Sequence, residues 1–463
     1  MKAPRFVLRF QVLLVLAALF LVPLIFSSAT ISTVFVKALA MNVLLGCCVA
    51  LEIFRLGLEA RLRPLPTPLG LPVGCYLLWM GLSALFGGVH PVEVAALQRV
   101  ICVVFLGYFI ATCGHRLHLY RRVVMVLLSV GAITGAYAIV QILELDFFDW
   151  WRFEWSLPVR RVCASFGNPT FFAGYLIPLI PLALAVRETT RRPLMRHALL
   201  ALAFLDLVAL GLTFSKAGVL GVMAALGSWF VLRSYGRLSA RSEQKVVSCF
   251  LISVGAVVLF GSVGRSLAGV DKISESIVVS SGGRSQIYRS AAGMLRSNPI
   301  FGVGPGMFGH EFPKYRTPEL TLFHPPHKQL LTHAHCEYFE QAAELGIVGL
   351  AAFLWIVFTA IRTALAKRRS CPLAVGVVAG LVGVLVDSFF SVNLRKEPNM
   401  MSFWTLIGLA ICLGSRSPVV RRAQWRPALR LLSGGMALLL AFGVSFAQGR
   451  DLIVDLLLRQ KRA

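Results

Sequence analysis

The stretch Thr332–Thr363 reads THAHCEYFEQAAELGIVGLAAFLWIVFTAIRT, and its two halves have different chemistry. Residues 343–363 are an apolar run of about 20 residues, the length that crosses the hydrocarbon core of a bilayer. Inside lipid no water is present to satisfy backbone N–H and C=O groups, so such a run must be helical. The first half is polar and brings histidines and carboxylates to the mouth of that helix. A histidine able to take a proton near neutral pH suits general-base chemistry at a membrane surface. The expectation is a membrane helix with a reactive group at its head.

Runs of the same kind recur along the chain. They lie near 9–27, 33–54, 69–88, 93–113, 122–143, 170–187, 197–213, 217–232, 246–262, 343–363, 372–391, 401–414 and 428–447. The 463 residues are 57% hydrophobic, with a mean hydropathy of +0.76, whereas soluble domains are about 45–50% apolar. The first run is too long for a signal-peptide core and has no cleavage site, so it reads as a helix. The predicted fold is all-α: a polytopic membrane helical bundle of twelve or thirteen spans. Its parts are N-terminal spans over 1–119, central spans over 120–261, a long external loop at 262–342 with short helices, C-terminal spans over 343–447, and an amphipathic tail at 448–463. That tail, QGRDLIVDLLLRQKRA, reads as an amphipathic surface helix.

The formal charge of +25 raises the question of nucleic acid, and its distribution answers it. Cations gather at the N-terminus and in alternate loops, at Arg61/Arg63, Arg121/Arg122, Arg191/Arg192, Arg237/Lys245, Lys367/Arg368/Arg369 and Arg421/Arg422. The opposite short loops, Ser27–Ser32 and Gly88–Val92, carry none. This is the positive-inside pattern with a cytoplasmic N-terminus. It accounts for most of the net charge and leaves no reason to invoke a nucleic-acid partner. The ten cysteines show no metal spacing. Cys163 and Cys336 both fall on the external side, where an oxidising compartment would permit a disulfide.

Two external segments stand out. Glu144–Pro169, ELDFFDWWRFEWSLPVRRVCASFGNP, is dense in Trp and Phe. Trp150 and Trp151 read as an interfacial belt or as a platform for sugar rings or a lipid chain. The loop 262–342 holds five histidines, His310, His324, His327, His333 and His335. Within it, SGGRSQIYRSAAGMLRS (Ser281–Ser297) reads as a short amphipathic helix after a Gly-rich turn. NPIFGVGPGMF then forms a tight turn whose N–H groups can approach a ligand. His-x-x-His and His-x-His in a proline-containing loop, without thiolates or acidic motifs beside them, do not make a metal site.

The polar groups on the external side are Arg160, Arg161, Lys216, Arg284, Arg289 and His335. Such cations suit a lipid-linked diphosphate, which Arg grips bidentately and Lys as a point charge; each can also merely snorkel toward headgroups. Arg99, about two turns inside its span, carries the same two readings. Glu337, Glu340, Gln341 and Glu344 share one helix face. They can raise the basicity of His335, bind an acceptor sugar, or simply favour a helix N-terminus.

Taken together, these residues resemble the O-antigen ligase family, with its related O-antigen polymerases and protein O-oligosaccharyltransferases. The family signature is His, then usually Asn, Ser or Gln, nine residues, and Gly-x-x-Gly. Here it is met by His335, Cys336, the nine residues 337–345, and Gly346-Ile-Val-Gly349, with Cys336 departing at the second position. RVCASFGNPTFFAGYL resembles the family's Arg…GNPN segment, with Arg161 and Asn168 in register and Thr170 replacing Asn. LTFSKAG carries Lys216 where Arg is usual, and GGRSQIYRS places the second important Arg at Arg284. DSFFSVNLRKEPNMMSFWTLIG resembles the later membrane region.

The resemblance implies a GT-C-like glycosyltransferase of the bacterial inner membrane with a periplasmic active site. Its donor would be a glycan on undecaprenyl diphosphate, its acceptor lipid A–core, and it would need no metal, nucleotide or other cofactor. His335 would act as general base on the acceptor hydroxyl, and Arg284 and Lys216, with Arg161, would hold the diphosphate. Arg160, Arg289, Asn168, Glu337, Gly346 and Gly349 would support them. A polymerase using a second lipid-linked glycan as acceptor, and a protein O-glycan transferase, share this pattern. A transporter or flippase would show inverted repeats and broken midplane helices, which the sequence lacks.

Overall fold

A computed structural model describes residues 2–26, 33–59, 67–146, 161–234, 271–320 and 331–415. Its helices are α1 (Lys2–Leu24), α2 (Thr33–Glu59), α3 (Gly70–Gly87), α4 (Pro91–Cys113), α5 (Leu119–Ile142), α6 (Pro169–Leu176), α7 (Leu179–Thr189), α8 (Pro193–Leu212), α9 (Lys216–Ser234), α10 (Asp271–Ser297), α11 (Phe308–Glu311), α12 (Glu337–Leu365), α13 (Pro372–Asp387) and α14 (Glu397–Gly414). Among the described residues there is no strand. The protein is a polytopic membrane helical bundle.

Nine of the expected spans coincide with helical stretches long and apolar enough to cross a membrane. One of these is Pro169–Thr189, where α6 and α7 meet end to end across Ile177 and Pro178. The expected spans at 372–391 and 401–414 correspond to α13, shorter at 16 residues, and α14. The expected spans at 246–262 and 428–447, the tail at 448–463, Trp150 and Trp151 lie outside the described residues.

Helix α14 is the centre of the bundle and is buried along nearly its whole length. Lipid is as apolar as leucine, so helices there associate through close packing at small residues. A Cβ at Gly107 of α4 would lie 2.8 Å from the Trp404 carbonyl oxygen of α14. A Cβ at Gly383 of α13 would likewise lie 2.7 Å from the Gly221 carbonyl oxygen of α9.

The described residues of the long loop, 271–320 and 331–342, fold against the bundle. Ile287, Ala291, Met294, Phe308, Phe312, Leu320, Ala334 and Ala343 form a small core of their own, joining α10 and α11 to α12. The amphipathic helix expected at 281–297 begins ten residues earlier, at Asp271. Gly282 and Gly283, read as a turn, continue as helix; the apolar face of α10 on that core outweighs the roughly 1 kcal/mol that each glycine costs.

Helix α12 starts at Glu337, before the apolar run, and breaks at Gly346, whose φ is 67° and ψ −174°. That region is essentially restricted to glycine, at about 1–3 kcal/mol for other residues. The break frees backbone groups, and the segment 299–304 takes them up. Val303 N–H donates to the Ala343 carbonyl (2.9 Å) and Gly304 N–H to the Glu344 carbonyl (3.0 Å). Ile347 N–H donates to the Pro299 carbonyl at 2.9 Å. Trp79 Nε1 of α3 donates to the Leu345 carbonyl at 2.9 Å, and Ser83 Oγ to the Phe301 carbonyl at 2.7 Å. The glycines of NPIFGVGPG thus bring this backbone onto a broken helix, so the N–H groups of Val303 and Gly304 serve α12 rather than a ligand. A Cβ at Gly346 would overlap the Ile300 carbonyl. Gly346→Ala is therefore expected to cost roughly 2–4 kcal/mol, read as a lower melting temperature of the detergent-purified protein.

Candidate active site

The contacts between helices gather one set of ends. Asn168 caps α6 by accepting from Thr170 N–H at 2.8 Å, with Pro169 following at the first helical position. Arg161 Nε donates to the Thr213 carbonyl at 2.7 Å, just past the end of α8. Lys216 opens α9 three residues later, and α9 packs on α6 where Gly218 meets Ala173. Arg161, Asn168 and Lys216 therefore belong to one corner.

His335, Arg284 and Tyr288 form a second corner. Tyr288 Oη lies 3.5 Å from the His335 carbonyl oxygen. Arg284, one turn earlier on α10, is exposed and near enough to Tyr288 to stabilise its phenolate, although burial has the larger effect and raises the phenol's pKa. His335 is half-buried, and its φ of +55° places it in the left-handed region. Arg289 is exposed on α10, and Arg160 lies outside the described residues.

The connection between α13 and α14, with the first turn of α14, joins the two corners. Asn393 Nδ2 donates to the Thr170 carbonyl (3.1 Å) and to Asp387 Oδ2 (2.7 Å), and Asn399 Nδ2 donates to the Phe171 carbonyl at 2.9 Å. The bonds to Thr170 and Phe171 clasp the start of α6. On the other side, Glu337 N–H donates to the Ser388 carbonyl at 2.9 Å.

The acidic face of α12 is neither solvated nor open. Glu337, Glu340 and Glu344 are 1–3% exposed, and all three turn to Arg395 in the same connection. Arg395 Nη1 lies 2.6 Å from Glu344 Oε2, and its Nε lies 3.1 Å from Glu337 Oε1 and 3.6 Å from Glu340 Oε1. Burial alone would lower the Arg395 pKa; the carboxylates outweigh it and hold the group well above the ordinary arginine range. Gln341 bridges from Glu337 (2.9 Å) to Tyr76 of α3 (3.1 Å). Glu337 is thus tied to Arg395 and Gln341, an anchor for the head of α12. Gly349 has the Leu345 side chain folded over it by the break at Gly346.

Arg99 faces Glu397 at 3.9 Å rather than only the headgroups. Cys163 and Cys336 are separate buried thiols, not a disulfide. His324 and His327 lie outside the described residues. Among the described residues no three His, Cys, Asp or Glu side chains gather as metal ligands do.

Sequence reasoning did not single out Arg395. One signal for it was present: Arg395 and Lys396 sit in a short external loop, whereas the other short external loops, Ser27–Ser32 and Gly88–Val92, carry no cation. Residues 201–354 match the family model described as O-antigen ligase. The match takes in Lys216, Arg284, Arg289, His335, Glu337, Gly346 and Gly349, and leaves Arg161, Asn168 and Arg395 outside. No curated protein matches the chain.

Proposed function

We propose that this chain, a multi-pass membrane enzyme of the O-antigen ligase family by its match over residues 201–354, transfers a glycan from undecaprenyl diphosphate to lipid A–core at the periplasmic face of the inner membrane. The observation that carries the reading is the meeting of His335 with the Arg284–Tyr288 turn of α10, at the bundle end where Arg161 and Lys216 also lie. The charge pattern supports the side: the cation-rich loops fall at the opposite helix ends, which the positive-inside rule assigns to the cytoplasm.

In this mechanism His335 takes the proton of the acceptor hydroxyl. The oxygen attacks the anomeric carbon in line, the C–O bond to the diphosphate breaks, and undecaprenyl diphosphate leaves with the electron pair. Arg284, with Lys216 and Arg161, neutralises the charge that grows on the leaving group, where electrostatic stabilisation acts most strongly. Lys216 keeps the charge of the usual arginine without its bidentate geometry. All of this chemistry uses side chains alone.

Arg284→Ala is expected to lower turnover about 100-fold, the usual effect of removing one group that stabilises transition-state charge. Arg284→Lys should recover part of it. Transfer of labelled glycan by the purified variants checks this, and full activity in the alanine variant removes the diphosphate role.

The deciding experiment is mass spectrometry of the undecaprenyl-linked glycans and surface glycolipids in a strain lacking the gene. Long lipid-linked chains accumulating beside bare core identify a ligase. Single repeat units accumulating identify a polymerase, and no change in either pool overturns both.

A further inference from the structure

Glu340 has no part in the reaction just described, yet both of its oxygens are engaged. It lies one turn into α12 and is 1% exposed. Its two oxygens do different work. Oε1 accepts from His333 Nδ1 at 2.8 Å, and Oε2 accepts from Ala334 N–H at 2.8 Å. Arg395 balances its charge. A single buried carboxylate therefore grips, by side chain and by backbone, the two residues immediately before His335.

That grip has a conformational purpose. His335 holds a left-handed backbone, φ +55°, which costs a non-glycine residue about 1–2 kcal/mol. Such a conformation persists only when its surroundings over-determine it. On the far side, Glu337 N–H is fixed to the Ser388 carbonyl at 2.9 Å. The turn carrying His335 is thus clamped at both ends, by Glu340 before it and by the α13–α14 connection after it. The side chain of His333 is 27% exposed, so it reaches Glu340 from the rim rather than from the core.

We infer that Glu340 is a positioning residue for catalysis: through His333 and the Ala334 amide it sets the backbone of His335 so that the imidazole meets the acceptor hydroxyl. Arg395 serves as its counter-ion. This inference rests on the reading of His335 as the base. A displacement of about 1 Å in a reacting group can cost 100-fold in rate, which sets the expected size of the effect.

The test uses the full-length protein in lipid nanodiscs, with undecaprenyl-diphosphate-linked O-antigen oligosaccharide as donor and lipid A–core as acceptor. Glutamine at 340 replaces one acceptor oxygen by an NH2 group and removes the charge facing Arg395, so His333 Nδ1 and Ala334 N–H no longer each donate to an ionised oxygen. Glu340→Gln should lower kcat about 100-fold with KM for both substrates within about threefold, because positioning acts on the reacting step and not on binding. Wild-type kcat, or a loss confined to KM, overturns the inference.

A second pair of variants holds the buried charge constant. His333→Phe removes the donor to Glu340 and should lower kcat about tenfold, at the lower end of the same misplacement effect. His333→Asn keeps an N–H donor and should restore most of that loss. An asparagine variant as slow as the phenylalanine variant means that the ring nitrogen itself takes part, and the positioning role falls. This pair decides the matter if Glu340→Gln does not accumulate as a folded protein. The two readings also fail separately. Turnover retained in His335→Ala removes the base, whereas a silent His335→Ala beside a normal Glu340→Gln removes the positioning role alone.

Discussion

His335→Ala is expected to eliminate measurable glycan transfer while leaving the amount of protein in the membrane near normal. General-base catalysis by a positioned side chain contributes about 10²–10⁴-fold, and the substitution removes that contribution entirely. Stability should change little, because the ring is half-buried and the backbone is held by neighbours rather than by the imidazole. Alanine tolerates the left-handed backbone no worse than histidine by more than about 1 kcal/mol. The measurement is labelled-glycan transfer by the purified variant, with its melting temperature taken on the same sample. Unchanged glycan product rules out His335 as base. A silent variant that also melts far below the wild type would instead mark the residue as a fold determinant.

Arg395→Met has the largest expected effect on the fold. The methionine fits the space but leaves Glu337, Glu340 and Glu344 buried without their common cation. Removing one partner of a buried ion pair costs about 3–5 kcal/mol; here one guanidinium serves three carboxylates, so the upper part of that range applies. Folded protein recovered in mild detergent should fall sharply, and any recovered protein should have lost transfer. Arg395→Lys keeps the charge but cannot span three carboxylates from one planar group, so it should accumulate better than the methionine variant and remain less stable than the wild type. Size-exclusion profiles with melting curves for the two variants check this. A methionine variant as stable as the parent would mean that the three carboxylates are neutral without Arg395, and the ionic account of the α12 face would fail.

The bundle itself was legible in the sequence. Each span declares itself within its own window of about 20 residues, because the bilayer demands apolar side chains and internally satisfied backbone at every point along it. The windows near 69–88, 93–113 and 122–143 match α3, α4 and α5 closely. Asn168 also had a local signature, since Asn followed by Pro is a helix start, and it caps α6. The reading failed where local rules were overruled by distant contacts. Gly282 and Gly283 sit inside α10, and the glycines of 302–306 approach a helix rather than a ligand.

Side-chain types near the site were likewise visible, but not their partners. The acidic face of α12 follows from spacing, whereas its cation lies 58 positions away. Glu340 reads as an ordinary first-turn carboxylate, stabilised by the helix dipole; only the folded chain turns it onto His333 and Ala334. Gly346 reads as a small residue for helix packing, while the folded chain uses it as a break filled by the backbone of residues 299–304. By itself the sequence determined the membrane class, most of the spans and the residues from which a site could be built, since each follows from burial and periodicity inside one short segment. Tertiary structure alone decided which charges meet, where α12 breaks and how His335 is held, because these depend on hydrogen bonds and ion pairs between segments whose separation no local pattern encodes.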